Sequence, residues 1–180
     1  MKRFFLLLIV LPFISCILRL DGKWLAEGGY RPIKPKFRLS KEKFTLPYNS
    51  VLDTDALYFT RGDKYKAFYR FWKNGRVYHS PGHTSLPEDY RYYNETRKGF
   101  IGYYKIEENN EITIELFYPV MGNAYLQNYG TVFGDSIIID RVEDHLIPFK
   151  TRKRKLKKQY VNRLYKFKPA WLFLYSQPYW

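Results

Sequence analysis

A chain of 180 residues with 31 Lys and Arg against 17 Asp and Glu is long enough for one domain with a proper core and too short for two to be the default. Its formal net charge of +14 implies attraction to anionic surfaces such as phospholipid, lipopolysaccharide or another polyanion, and its single cysteine excludes an intrachain disulfide. Aromatic residues make up 20%, and such rings favour strands and fill small barrels.

The chain opens with Met1-Lys2-Arg3 and the apolar run Phe4 to Leu11, the positive and hydrophobic regions of an export signal. Extended to Leu18 the run is about 15 residues, broken by Pro12, and shorter than the roughly 20 that span a bilayer. Ordinary signal peptidase takes small residues at both positions before its cut, and Phe13-Ile14-Ser15 offers only Ser15. The stretch Phe13-Ile14-Ser15-Cys16 instead resembles the lipobox of bacterial lipoproteins, with Phe13 where Leu is commoner. That resemblance implies that residues 1–15 are a lipoprotein signal peptide and that Cys16 is acylated and begins the mature chain. Each buried methylene of such a lipid contributes about 0.8 kcal/mol, so several acyl chains tether the protein firmly to its membrane. Ile17 stands where an aspartate marks inner-membrane retention, so the resemblance implies an outer-membrane lipoprotein facing the periplasm of a Gram-negative bacterium. The covalent lipid is the only attached group expected, with no cofactor.

Residues 16–50 then read as anchor, a first strand over 21–26 and a basic loop or linker. Gly22-Lys23-Trp24 resembles the Gly-x-Trp signature of lipocalins. This resemblance implies that Gly22 and Trp24 form the floor of an eight-stranded barrel, with Trp24 packed on a late arginine, Arg141 or Arg163. From Tyr30 to Ser50 the chain is basic and carries Pro32, Pro35 and Pro47, so it is no central strand; it reads as a long loop or as a spacer above the membrane.

The body is expected over 51–180. A strand over 51–60 leads to the turn Arg61-Gly62-Asp63, and strands over 65–72 and 76–80 flank Lys73-Asn74-Gly75, a strong hairpin signal. Residues 81–96 form a polar loop long enough to cap a barrel end. In the strands over 99–107 and 111–119, Phe100, Gly102, Tyr104, Ile106, Ile112, Ile114, Leu116 and Tyr118 share one parity, while Lys105, Glu107, Thr113 and Glu115 share the other. Glu108-Asn109-Asn110 turns between them, and Gly134-Asp135 turns between strands over 125–133 and 136–142. Eight strands with mostly tight links predict an all-β, antiparallel up-and-down meander closed as a lipocalin-like barrel, which leaves no edges. Phe100, Tyr104, Ile106 and Ile114 are the candidate cavity-lining residues, and Gly102 is the small inward position that favours a cavity.

Lys150, Arg152, Lys153, Arg154, Lys155, Lys157 and Lys158 make a basic run suited to an anionic surface. Leu156, Tyr160 and Leu164 recur every four residues, which predicts a short amphipathic C-terminal helix within 150–164. A short final strand over 164–167 follows by the same lipocalin resemblance, and the aromatic tail 170–180 either docks on the barrel wall or touches lipid, docking being the favoured reading.

The chemistry sought is mostly missing. His79, His83 and His145 lack the spacing of a zinc pair, since Pro81-Gly82 breaks any helix between the first two, and no metal site is expected. No nucleophile elbow, phosphate-cradling loop or catalytic cysteine pattern appears, so the chain reads as noncatalytic rather than as an enzyme. Nucleic acid is not an expected partner of an exported, lipid-anchored protein. Two readings remain open: a barrel that binds a hydrophobic or amphipathic small molecule, and a filled barrel that serves as a protein or membrane-surface interaction module of an envelope complex. Large inward residues throughout favour the second.

Overall fold

The computed structural model describes residues 22–26, 28–60, 66–80, 82, 89–119, 124–144, 152–155, 161–170, 172, 174, 175 and 177–180. Cys16 and the signal-like segment lie outside the described residues, as do Lys150, Lys157, Lys158, His83 and His145.

Two short strands come first, β1 (Gly22–Trp24) and β2 (Tyr30–Pro32), paired with each other in a sheet of their own. A 3-10 turn (Leu39–Lys41) follows. The barrel is built from β3 (Leu57–Thr60), β4 (Phe68–Phe71), β5 (Arg76–His79), β6 (Phe100–Ile106), β7 (Glu111–Tyr118), β8 (Ala124–Val132), β9 (Ser136–Asp144) and, after β10 (Arg152–Lys155), β11 (Asn162–Phe167). A five-residue helix, α1 (Tyr90–Asn94), stands between β5 and β6, its first turn capped by Asp89, which accepts from the Arg91 amide at 2.8 Å.

From β3 to β9 each strand pairs antiparallel with the next, and β11 closes the ring by lying between β9 and β3. This is the expected eight-stranded up-and-down barrel, with one exchange of members. The strand expected over 21–26 does not enter it, and the eighth place is taken by β11, so Leu164 pairs with Thr60 on one side and Ile137 on the other. The long strand β9 serves two neighbours along one edge: residues 136–139 pair with β11 and residues 141–144 with β10. Between these halves Asp140 is the extra residue of a bulge opposite Tyr129 and Gly130, which bends the strand.

The helix expected within 150–164 is corrected over its described part. Arg152–Lys155 and Asn162–Phe167 are strands. Leu164, one of the residues that suggested helical spacing, is buried at 1% exposure between two strand neighbours. A residue that packs inward on either period reads the same in a short window.

The turns follow their sequences. Gly75 takes φ +81° and Asn110 φ 63°, the left-handed backbone that Gly and Asn tolerate, and each ends a hairpin loop. The Trp72 amide donates to the Arg76 carbonyl at 3.0 Å and the Glu107 amide to the Glu111 carbonyl at 2.9 Å, closing the two hairpins.

The alternating pattern of the strands yields a core inside the barrel and two more outside. Tyr58, Phe71, Tyr104, Ile112, Ile114, Leu116, Ile137 and Leu164 belong to the inner cluster. On the outer wall Leu57, Phe59, Phe68, Trp72 and Tyr78 pack under Tyr93 of α1 and under Leu172, Leu174 and Trp180 of the C-terminal tail. Ile101 and Phe117 pack under Tyr30 and Phe37 of the N-terminal segment. The barrel is therefore strapped on its outside by the two segments that flank it in sequence.

Candidate functional site

The four candidate cavity-lining residues do converge on the inner face. Tyr104, Ile106 and Ile114 are fully buried in the inner cluster, and Phe100 packs half-buried against it near the end where β6 begins. The space between them is taken by other rings. Tyr104 lies 5.0 Å, centroid to centroid, from Phe71 and 4.9 Å from Phe44, and its hydroxyl donates to the Trp72 carbonyl at 2.8 Å. Phe44 and Leu46, from the segment after the 3-10 turn, pack against the same cluster. Gly102 does not open a cavity either. A Cβ there would collide with the Glu115 backbone carbonyl, so the missing side chain is what lets β6 approach β7.

Toward the opposite end the interior becomes polar. His79 stacks on Tyr69 at 4.3 Å, and its Nδ1 is 3.4 Å from the Tyr118 hydroxyl, which also shares a hydrogen bond with Tyr69. Phe100 covers this group, 4.7 Å from Tyr118. Burial pushes the His79 imidazole down to about 4, so the ring is neutral at pH 7, and burial pushes the Tyr69 hydroxyl up to about 12. A neutral imidazole beside two phenols can exchange hydrogen bonds, and among the described residues no carboxylate is bonded to it. Among the described residues no group of three His, Cys, Asp or Glu side chains is placed to hold a metal ion.

On the outer wall, three buried charged side chains fasten the straps. Arg31, 5% exposed, donates through Nη1 to the Gly99 carbonyl at 2.8 Å and through Nη2 to the Arg97 carbonyl at 2.7 Å and the Tyr179 hydroxyl at 2.6 Å. It ties the N-terminal segment, the approach to β6 and the C-terminal tail into one joint. Arg70 donates to Asn94 Oδ1 at 3.0 Å and lies 4.7 Å over the Trp72 ring. Burial lowers its guanidinium to about 10, still protonated at neutral pH, and the same Asn94 oxygen accepts from the Tyr175 amide of the tail at 2.8 Å. Glu115, 1% exposed, accepts the Arg38 and Leu39 amides at 3.0 and 2.9 Å and so caps the 3-10 turn. The tail ends with Trp180 edge-on to Trp72 at 5.6 Å and donating to the Gly102 carbonyl at 3.3 Å, so it docks on the wall as expected.

Among the described residues, clefts lie beside α1 and under the N-terminal strap. One of about 440 Å³ is lined by Phe68, Tyr78, Ser80, Asp89, Tyr92, Glu95 and Lys98 beside α1. The other, of about 290 Å³, lies between the segment from Leu39 to Pro47 and β6, where Lys105 Nζ bridges Glu42 and Glu107 at 3.2 Å each.

The floor expected from Gly22 and Trp24 is not there. Trp24 is 70% exposed, edge-on to Tyr30 at 5.2 Å, and Gly22 lies against the Tyr30 ring in the small sheet outside the barrel. Three residues paired only with β2 cannot close a barrel whose first strand begins at Leu57. Arg141 instead lies 5.9 Å over Tyr129, and Arg163 is exposed. Arg152, Lys153, Arg154 and Lys155 of the basic run form β10 beside the far half of β9.

The fasteners Arg31, Arg70 and Glu115 are absent from the sequence candidates. A signal for the straps was nevertheless present: Ile101, Tyr103 and Phe117 lie on the parity otherwise occupied by Lys105, Thr113 and Glu115. Bulky apolar residues on a wet face ask for a cover. Comparison with known proteins finds no matching family, curated protein or solved structure.

Proposed function

We propose that this chain is a lipid-anchored, noncatalytic protein of the bacterial envelope, whose filled barrel serves as an interaction module presented at a membrane surface. The observation that carries the choice of module over carrier is the interior, where Tyr58, Phe71, Tyr104 and Ile114 are all at 1% exposure or less. Small barrels hold a ligand only when their side chains leave room for one. The lipobox-like Phe13-Ile14-Ser15-Cys16 supports the anchor and the outer-membrane, periplasm-facing address. An envelope protein or the membrane itself is then the partner, and no cofactor beyond the covalent lipid is needed.

A second reading, binding of a hydrophobic or amphipathic small molecule, is favoured by the 440 Å³ cleft, where the rings of Phe68, Tyr78 and Tyr92 meet Asp89, Glu95 and Lys98. It moves the ligand from the barrel mouth to the outer wall.

Native mass spectrometry of the protein purified with its lipid from its own host separates these readings. An acylated Cys16 on an otherwise unliganded chain is the expected result. A copurifying amphiphile lost on Tyr92→Ala would replace the module by the wall-cleft carrier, and an unmodified Cys16 would remove the anchor.

A further inference from the structure

The two ends of the barrel differ in charge. At one end β3, β5, β7 and β9 finish and β4, β6 and β11 begin. There the exposed side chains Lys66, Arg97, Lys98 and Arg163 stand around the rim, and the basic strand β10 lies along the last residues of β9. At the other end the hairpin turns carry Glu107, Glu108, Glu111 and Asp135, all exposed, with the exposed Lys73, Lys105 and Lys166 close by, Lys105 paired to Glu107 and the Lys166 amide bonded to the Asp135 carbonyl. Lys168, near them, is held by Asp53 at 3.2 Å. Among the described residues one end thus carries an excess of exposed cations and the other a near balance of carboxylates and lysines.

The N-terminal side of the chain is fixed to the basic end. Arg31 binds the carbonyls of Arg97 and Gly99 just before β6, and Gly29 takes φ +86° where its backbone meets the Arg97 carbonyl. From Gly22 back to Cys16 is six residue steps, at most about 20 Å of fully extended chain. A lipid on Cys16 therefore holds the membrane within that reach of β1, where the exposed indole of Trp24 suits the headgroup level. Opposite charges meet if the surface there is anionic, and the carboxylates of the other end stay clear of it if that end points away.

We infer that the barrel stands end-on, with the rim of Lys66, Arg97, Lys98 and Arg163 on an anionic lipid surface and the turns at 107–111 and 133–135 facing away. The tether distance rests on the proposed lipid anchor; the difference in charge does not. This orientation leaves the acidic turns as the part of the molecule that an envelope partner meets.

The test uses the full protein, purified with its lipid and reconstituted in nanodiscs of phosphatidylcholine alone or with phosphatidylglycerol, carrying a nitroxide quencher on the headgroups. A fluorophore is attached at Asn162→Cys, at the basic rim, or at Gly134→Cys, where a new side chain meets open space. The expected result is stronger quenching at 162 than at 134 with phosphatidylglycerol, lost in pure phosphatidylcholine and at 1 M salt, where charges are screened beyond about 3 Å. Neutralising Arg97 and Lys98 together to Gln lowers the ratio of end-on to freely tumbling molecules about fivefold per cation, and adding Arg163→Gln extends the series if the double variant folds poorly. Equal quenching at both positions, a stronger signal at 134, or indifference to anionic lipid overturns the orientation. The mass of Cys16 in the same preparation reports on the anchor separately. An acylated chain with no end preference keeps the anchor and removes this inference, whereas an end preference in a chain with unmodified Cys16 keeps the basic surface and removes the anchor.

Discussion

The inside of the barrel and its outer wall are both buried, but by different means. Inside, side chains of the strands, joined by Phe44 and Leu46 of the N-terminal segment, fill the space with apolar contacts, and the Tyr104 hydroxyl donates to the Trp72 carbonyl. Outside, the cover comes from distant segments held by charges, with Arg31 reaching 148 positions along the chain to Tyr179 and Glu115 reaching 77 to the Arg38 amide. The inner core is thus mostly apolar packing of strand side chains, and the outer cover is held by hydrogen bonds of buried charges between distant segments. Changes inside are expected to cost stability through lost packing, and changes outside to loosen the straps while the barrel stays closed.

The largest effect is expected from Phe71→Ala, which removes a ring at 0% exposure between Tyr58 and Tyr104 and should destabilise the protein by about 3–5 kcal/mol in urea unfolding. A loss below about 1 kcal/mol would mean that the interior is not packed. His79 gives the next effect, read through pH. Its folded-state value of about 4 lies below the 6.5 of the free side chain, so the unfolded chain binds the proton more readily, and stability falls as pH drops from 6.5 toward 4. The loss attributable to this ring is at most about 3 kcal/mol, less to the degree that water reaches it, and His79→Phe should flatten the slope over that window. An unchanged slope in the variant would place the imidazole in contact with solvent.

On the wall, Arg31→Gln should cost about 2 kcal/mol, since the carbonyls of Arg97 and Gly99 lose a charged donor, and should sharply raise hydrogen exchange in residues 177–180 with little change in β6 and β7. Equal loosening of the strands would erase the distinction between core and cover. Lys105→Ala marks the small end of the series. Its two ion pairs are about half exposed, and thermal unfolding should shift by no more than about 0.5 kcal/mol.

The same contrast decides what could be read from the sequence. Period-two alternation marks β6 and β7 nearly to their ends, Asn110 marks the turn between them and Asn74-Gly75 the turn between β4 and β5, because these signals are local. Counting to eight was right in number and wrong in membership: 21–26 was admitted on the Gly22-Lys23-Trp24 resemblance, but only three of its residues form a strand, paired with β2. The final strand expected over 164–167 is present as Asn162–Phe167, but its place closing the ring depends on Leu57–Thr60 a hundred positions earlier, and no window contains both. For the cavity, the inward residues were identified correctly, but their mutual distances, and so the absence of space between them, belong to the barrel's curvature. Glu115 was assigned to the wet face; the segment that covers it lies 76 positions away.

The pairing of β11 with β3 also sets a schedule. A chain made from its N-terminus forms the hairpins from β3 to β9 as they appear, but Leu57–Thr60 has one edge without a partner until Asn162–Phe167 has been made. During that interval an open sheet presents unpaired amides and carbonyls, the groups by which sheets join edge to edge. Ring closure is the last and least local event, and its rate depends on bringing distant segments together. For this molecule the vulnerable period lasts until the C-terminal strand arrives, wherever the chain folds, and the open sheet is where a chaperone would have something to protect.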